Sequence, residues 1–363
     1  MDLEAIGWGP PWDAAFAAWR GEECVPGRVA RVDGPRYRVY TAAGEVAAEL
    51  PGRMLHQASG GAALPAVGDW VALRPLPDEE RGMVAGILPR RTCFSRRGAG
   101  GRTRTSGGRT EEQVVAANVD TVFIVIGLDQ DYSVRRLERY LTLAWDSGAL
   151  PVAVLNKADL CRAVEARLAE AAAVAHGVDV HAVSAAAGEG LEPLRQHVRR
   201  GRTAVLLGSS GVGKSTLINA LLQEPVQRVT EVRTSDGKGR HTTTHRELLL
   251  VPGGGALIDN PGMREVQLWA DEEALQSTFD EIEALAARCR FRDCAHLSEP
   301  GCAVRRALRE GALDAERLES YRRMQRELRR LAGRQDQRAR LEEKARGKQL
   351  ARWQREYQQR EEQ

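Results

Sequence analysis

Nine residues at 208–216, GSSGVGKST, stand between an apolar run and a helical one and satisfy the spacing G-x-x-x-x-G-K-[ST]. Gly208, Gly211 and Gly213 allow the backbone around Ser209, Ser210 and Val212 to curl its N–H groups about phosphate oxygens. Lys214 is then expected to reach the β- and γ-phosphates, and Ser215, followed by Thr216, to offer its hydroxyl to Mg2+. A second group, NKAD at 156–159, follows the apolar run PVAVL. The Asp159 carboxylate can accept from both N1–H and the exocyclic amine of guanine, a pair of donors that adenine lacks. Asn156 would brace neighbouring loops, and the stem of Lys157, beside Ala158, would cover the base. SAAAGEG at 184–190 adds Ser184 and an Ala185 N–H suited to guanine O6.

DNPG at 259–262 supplies a further phosphate element, with Asp259 expected to hold Mg2+ through water and the Gly262 N–H to touch the γ-phosphate. Between it and the first loop lies TSDGKGRHTTTH at 234–245, a polar stretch of the kind that orders around a γ-phosphate and its metal. Thr243, among the three adjacent threonines, is expected to give the metal its second hydroxyl. The position after DNPG, where many GTP hydrolases carry a water-orienting glutamine, is Met263, which has no group for that task. His241, next to the threonines, takes its place as the candidate catalytic residue, with His245 a weaker rival. The alternative for His241 is a loop histidine facing RNA or solvent.

A separate cluster, CRFRDCAHLSEPGC, sets Cys289, Cys294, His296 and Cys302 at C-x4-C-x-H-x5-C spacing. Three thiolates and one imidazole complete a tetrahedral Zn2+ shell with no open position, which is the mark of a structural site. Disulfides are the rival reading, disfavoured in a chain expected to be cytoplasmic.

These residues need elements to hold them. The chain has 363 residues, 42% of them hydrophobic and 28% charged, enough for two or three domains with real cores. Residues 1–22 read as a short polar lead-in with one amphipathic turn. Five runs of period-two alternation between 23 and 92 predict a small barrel of OB type, which periodicity alone does not separate from an SH3-like one. The segment 93–113 is Gly- and Arg-rich and reads as a flexible linker. From 114 to 267 strands alternate with helices, which implies a parallel sheet covered on both faces. A helical zinc-binding domain over 268–335 and a basic tail over 336–363 complete the expected order.

Charge is unevenly spread. Residues 88–110 carry seven arginines and no acid, and residues 321–363 carry a net +7, so a total of +3 leaves −11 elsewhere. Such concentration points to a polyanionic partner. The longest apolar run, around 121–128, falls well short of the roughly 20 residues that cross a bilayer. No secretory signal is legible at the N-terminus, so no membrane association is expected.

The order of the nucleotide motifs is unusual, since NKAD and SAAAGEG precede the phosphate loop instead of following it. A parallel sheet can be cut and rejoined in this way while its site keeps the same form, which is a circular permutation. With the barrel before and the Cys/His cluster after, and with GKGRHTTTH and GRTEEQVVAANVDTVFIV, the chain resembles the circularly permuted, ribosome small-subunit-dependent GTPases called RsgA or YjeQ. The resemblance implies an OB fold, a permuted GTPase domain, one structural zinc per chain and binding of GTP or GDP. It also implies contact with the 30S subunit and its 16S rRNA during late maturation, and it points to the same His241; a monomer is expected. Readings from other classes are a GTP-dependent metallochaperone and an RNA-binding scaffold with GTP as a latch.

Overall fold

The computed structural model describes residues 1–57, 61–76, 81–98, 111–223, 246–259, 275, 278–291, 294–297 and 299–326. The candidates His241, Thr243 and Gly262, the whole stretch 234–245 and the tail 336–363 lie outside these residues. Contacts divide the chain into two units, Met1–Trp269 and Ala270–Gln363.

Five strands open the first unit: β1 (Val25–Asp33), β2 (Arg36–Thr41), β3 (Gly44–Glu49), β4 (Trp70–Pro75) and β5 (Arg81–Ile87). They pair in the order β1-β2-β3-β5-β4, and β4 returns to β1 to close the barrel. Insertion of β5 between β3 and β4, parallel to β3, is the Greek-key order of an OB barrel rather than a meander. Alternation along β2 and β5 buries Tyr37, Val39 and Val84 inside with Val29, Val71 and Leu73, while the intervening side chains face out.

The lead-in differs from the polar segment expected. Its helix α1 (Pro10–Phe16) and two flanking turns of 3-10 helix bury Leu3, Ile6, Trp12 and Phe16 against Trp70, Ala72 and Leu88 of the barrel wall. Trp8 meets Trp70 edge-on at 4.9 Å between ring centroids. A lone reading of its charged residues overlooked four aromatic side chains with a common face. The Arg-rich segment differs too, because its ends pair as the antiparallel strands β6 (Cys93–Gly98) and β7 (Glu111–Ala117).

Strands β8 (Thr121–Gly127), β9 (Leu150–Asn156), β10 (Asp179–Ala182), β11 (Thr203–Leu207), β12 (Arg246–Leu250) and β13 (Ala256–Asp259) form the α/β part, in spatial order β10-β9-β8-β11-β13-β12. β8 and β9 are buried almost throughout, as strands covered on both faces must be. Helix α2 (Gly52–Gln57) lies between β3 and β4, and α3 (Val134–Asp146), α4 (Val164–Ala172), α5 (Glu192–Arg195) and α6 (Lys214–Leu222) follow strands of the α/β part, with α3 capped by the Ser133 hydroxyl.

Two features depart from a purely parallel, free-standing sheet. β12 runs antiparallel to β13, and its outer edge pairs with β1 through Arg31 opposite Glu247 and Val32 opposite Arg246. One sheet of eleven strands therefore runs from the α/β part into the barrel. Arg28 fastens the same junction from within, as a fully buried guanidinium that donates to Ile6 O, Gly68 O, Asn118 O and the Thr203 hydroxyl. Burial lowers its pKa to about 10, still well above neutrality, so the charge persists.

In the second unit, the helices Asp280–Ala286 and Ala303–Arg309 and a helical stretch over 315–326 enclose Phe279, Ile282, Val304, Leu318 and Tyr321. Arg317 ties the layers by donating to Glu281 and Thr278 O, with its guanidinium 4.2 Å from the Phe279 ring.

Candidate functional site

Every strand of the α/β part that carries a nucleotide motif delivers it at the same edge of the sheet. β11 runs parallel to β8 and β13, and β9 parallel to β8 and β10, so Gly208, Asn156, Ser184 and Asp259 all lie at or just beyond the carboxyl ends of their strands. Open α/β sheets bind ligands at that edge. The permutation thus costs nothing in geometry, because β9 lies two places from β11 whichever precedes the other in the chain.

The phosphate loop turns from β11 into α6 through Gly211 and Gly213, whose φ values of 79° and 92° lie in the left-handed region. At Gly213 a Cβ would stand 2.3 Å from Asn156 Nδ2, so no larger residue fits. Lys214 Nζ folds back over the loop and donates to the carbonyls of Gly208 (2.8 Å) and Ser209 (2.6 Å). That contact fixes the ammonium at the loop's mouth. Ser215 and Thr216 follow it in the first turn of α6, and the N-terminus of a helix is the end that favours an anion.

Asn156 is buried and joins three motifs at once. Its Nδ2 donates to Val212 O of the phosphate loop at 2.8 Å, while its Oδ1 accepts from the Ala185 N–H at 3.0 Å. The bracing expected of Asn156 is present, but it occupies the Ala185 N–H that the sequence assigned to guanine O6. Lys157 adopts φ 65° and turns the chain so that Ala158 N–H reaches Val183 O and Asp159 lies at the surface. Asp159 Oδ1 accepts from the Ser184 hydroxyl at 2.6 Å, which in turn accepts from Ala187 N–H at 3.2 Å. Ser184 is therefore more than a loop residue, since it aims the carboxylate. Asp259 closes β13, buried at the end of the strand next to β11.

The sequence missed two acids on the loop after β8. Asp129 accepts from Lys157 Nζ at 2.5 Å and Asp131 from the Ser209 hydroxyl at 2.6 Å. Neither belongs to a recognisable spacing, although both lie within four residues of a strand's carboxyl end, where ligands gather.

In the second unit Cys289, Cys294, His296 and Cys302 bring their ligand atoms within 4.8 Å of one another. The Sγ atoms of Cys289 and Cys302 are 3.8 Å apart, and His296 Nδ1 lies 3.6 and 3.5 Å from them. A tetrahedron with metal–sulfur bonds of about 2.3 Å has edges of about 3.8 Å, so this is the spacing of ligands around one ion. A disulfide, at about 2.05 Å, is excluded for this pair, and none of the six cysteines is in a disulfide. Backbone N–H groups of Ala303 and Arg305 donate to the sulfurs of Cys289 and Cys302 at 3.3 and 3.4 Å. Arg322 donates to His296 O, and Glu299 accepts from the N–H groups of Ala295 and Leu297. Burial holds the His296 ring below the usual histidine range, which favours the neutral form that a metal ion would need. The cluster can hold a metal ion.

A phosphate loop, the exposed aspartate of NKAD and a buried asparagine between them, on a sheet whose strands are met in permuted order, define a circularly permuted P-loop GTPase. The family model described as RsgA GTPase matches residues 87–269. Curated relatives called small ribosomal subunit biogenesis GTPase RsgA are 47% identical over 88% of this chain and 88% of the relative in Syntrophotalea carbinolica. In Streptomyces avermitilis the identity is 46%, over 94% of this chain and 89% of the relative. Among solved structures, YjeQ from Thermotoga maritima superposes with a TM-score of 0.62 at 28% identity, over 84% of this chain and 98% of its own. YloQ, described as a circularly permuted GTPase, shares the fold with a TM-score of 0.61 at 23% identity, over 85% of this chain and 96% of its own. The chain belongs to the RsgA GTPase family and is a hydrolase acting on GTP. No helix among the described residues is long and apolar enough to cross a membrane.

Proposed function

We propose that this GTPase acts in biogenesis of the small ribosomal subunit, in the cytoplasm and as a monomer, its nucleotide state setting its hold on the 30S particle. The observation that carries this reading is the extent of the similarity. Relatives named for that process match 88 to 94% of the chain, too much for the barrel, the GTPase part or the cysteine unit to be left out. The three parts act as a set: 23–92 as an RNA-facing barrel, 114–267 as the GTPase module, and 268–335 as a metal-stapled helical module. The arginines of 88–110 and the tail would meet 16S rRNA phosphates.

Within the GTPase part, Gly208 to Thr216 cradle the phosphates and Asn156 to Asp159 with Ser184 take the base, Ala185 contributing by holding Asn156 Oδ1. Ser215, Thr243 and Asp259 would hold Mg2+, which when bound neutralises charge on the phosphates. His241 orients the attacking water, in place of the glutamine that Met263 replaces. The family resemblance supports zinc as the ion of the Cys/His cluster, and its closed set of four protein ligands suits a staple better than a delivery site, against the metallochaperone reading.

GTP turnover with and without purified 30S subunits tests the proposal. Stimulation of tenfold or more is expected, with binding tighter in the presence of a non-hydrolysable GTP analogue than with GDP. Equal turnover and equal affinity would overturn it and leave a GTPase without this partner.

A further inference from the structure

The loop 128–133, LDQDYS, lies between β8 and α3 and contains none of the motifs that define the nucleotide site. Its two carboxylates nonetheless reach both ends of that site. Asp129 Oδ2 accepts from Lys157 Nζ at 2.5 Å, and its Oδ1 accepts from the Asp131 N–H at 3.0 Å, closing a turn. Gly127 permits this: a Cβ there would stand 2.8 Å from Asp129 Oδ1. Leu128 N–H donates to Asn156 O at 2.8 Å, so the turn is tied to the residue that begins NKAD. Asp131 accepts from the Ser209 hydroxyl at 2.6 Å and from Arg136 Nη1 at 2.5 Å, and the same nitrogen lies 3.0 Å from Ser209 Oγ.

We infer that this loop is a third wall of the nucleotide site, with Asp129 positioning Lys157 for the guanine base and Asp131 positioning the phosphate loop through Ser209. The inference rests on the reading of NKAD and the phosphate loop as the GTP site. A lysine has four rotatable bonds, and ordering them when the base arrives costs affinity. Anchoring the ammonium on Asp129 sets the stem along one line beforehand. Both partners are about a quarter exposed, so the pair acts by orientation more than by Coulomb attraction. Partial burial of Asp129 works against its charge, but the Lys157 ammonium and the Asp131 N–H outweigh it and hold the carboxyl below its usual range. Asp131 acts on the other end, where Ser209 supplies one of the two carbonyls that hold Lys214.

The alternative is that both acids merely stabilise the β8–α3 connection. Double-mutant cycles on the full chain separate the two. Asp129→Asn should raise the Kd of a fluorescent GDP about tenfold, and its effect on turnover should fall on the KM for GTP rather than on kcat, as loss of uniform binding does. In a Lys157→Ala background the same substitution should add less than twofold. Asp131→Ala should weaken GDP binding severalfold, and this too should vanish in a Ser209→Ala background. Undiminished effects in the paired backgrounds, with a lowered melting temperature, would overturn the inference and leave a folding role. Should Lys157→Ala alone leave GDP affinity unchanged, the assignment of NKAD to the base would fall, a failure distinct from that of the loop.

Discussion

The nucleotide loops and the cysteine cluster solve the same problem, holding several chain segments at fixed spacing, by opposite means. At the nucleotide edge, parallel strands with buried cores set the spacing, and hydrogen bonds donated by Asn156 and Ser184 and accepted by Asp129 and Asp131 finish it. In the second unit Cys289 to Cys302 span only fourteen residues, with no helix or strand among the described residues between them. There the spacing of four ligand atoms is the one a single bound ion would impose. The first site is organised before its ligand arrives; the second would be organised by it.

Removing the metal should therefore produce the largest effect. Structural zinc contributes on the order of 10 kcal/mol or more to folding of small domains. Stripping the full-length protein with a strong chelator should abolish amide-exchange protection over 278–326, while strands β8 to β11 stay protected and GDP still binds. Elemental analysis should return one zinc per chain before treatment and none after. Protection that outlasts removal of the metal would make the second unit as self-sufficient as the first and erase the contrast.

Asn156→Ala attacks the other side. It strands a buried carbonyl at Val212 and a buried N–H at Ala185, each costing about 1–3 kcal/mol. GDP affinity should fall about a hundredfold or more, with the cysteine unit unaffected. Titration of labelled GDP checks this, and a loss below threefold would mean that the strands alone organise the edge. Asp159→Asn probes the same edge at the base. It should weaken GTP about tenfold to a hundredfold, as loss of a charged hydrogen-bonding partner does, and improve xanthosine triphosphate, which offers a carbonyl where guanine has an amine. Unchanged preference for guanine would remove Asp159 from the base pocket.

How much of this was legible follows from the same contrast. The cysteine cluster could be read directly, because its ligands are few, chemically distinctive and close in sequence. The phosphate loop, NKAD and their permuted order were legible for a related reason, since each is a dense local pattern at a strand end. Asp129 and Asp131 were not: a loop carboxylate has no spacing signature, and its meaning depends on Lys157 and Ser209, which are distant in sequence. The pairing of β12 with β1 was equally hidden, because strand edges more than two hundred residues apart leave no periodic trace. The lead-in should have been read, because Trp8, Trp12 and Phe16 recur at intervals of four, the spacing of one helical face. The OB barrel rested on the family resemblance until the parallel pairing of β3 with β5 decided it.

Ser184→Ala is the finest test of whether the nucleotide edge is finished by side chains. The Ser184 hydroxyl is fully buried and bridges Asp159 Oδ1 to the Ala187 N–H, so it steers an exposed carboxylate from beneath. Alanine removes the steering without adding bulk or touching the charge. Asp159 keeps its other oxygen and its access to water, so the cost should be about 1 kcal/mol, close to a single hydrogen bond. That corresponds to roughly a fivefold loss of GDP affinity, with discrimination between guanine and xanthine loosened in the same proportion. The melting temperature of the first unit should drop by no more than a few degrees, since the β-strands beneath are unchanged. A loss of affinity for guanine and xanthine nucleotides alike would locate the effect in the backbone turn at Ala187. No loss at all would show that Asp159 is aimed by Lys157 and the main chain, and the contrast with the metal-ordered cluster would then narrow to Asn156 and the β8–α3 loop.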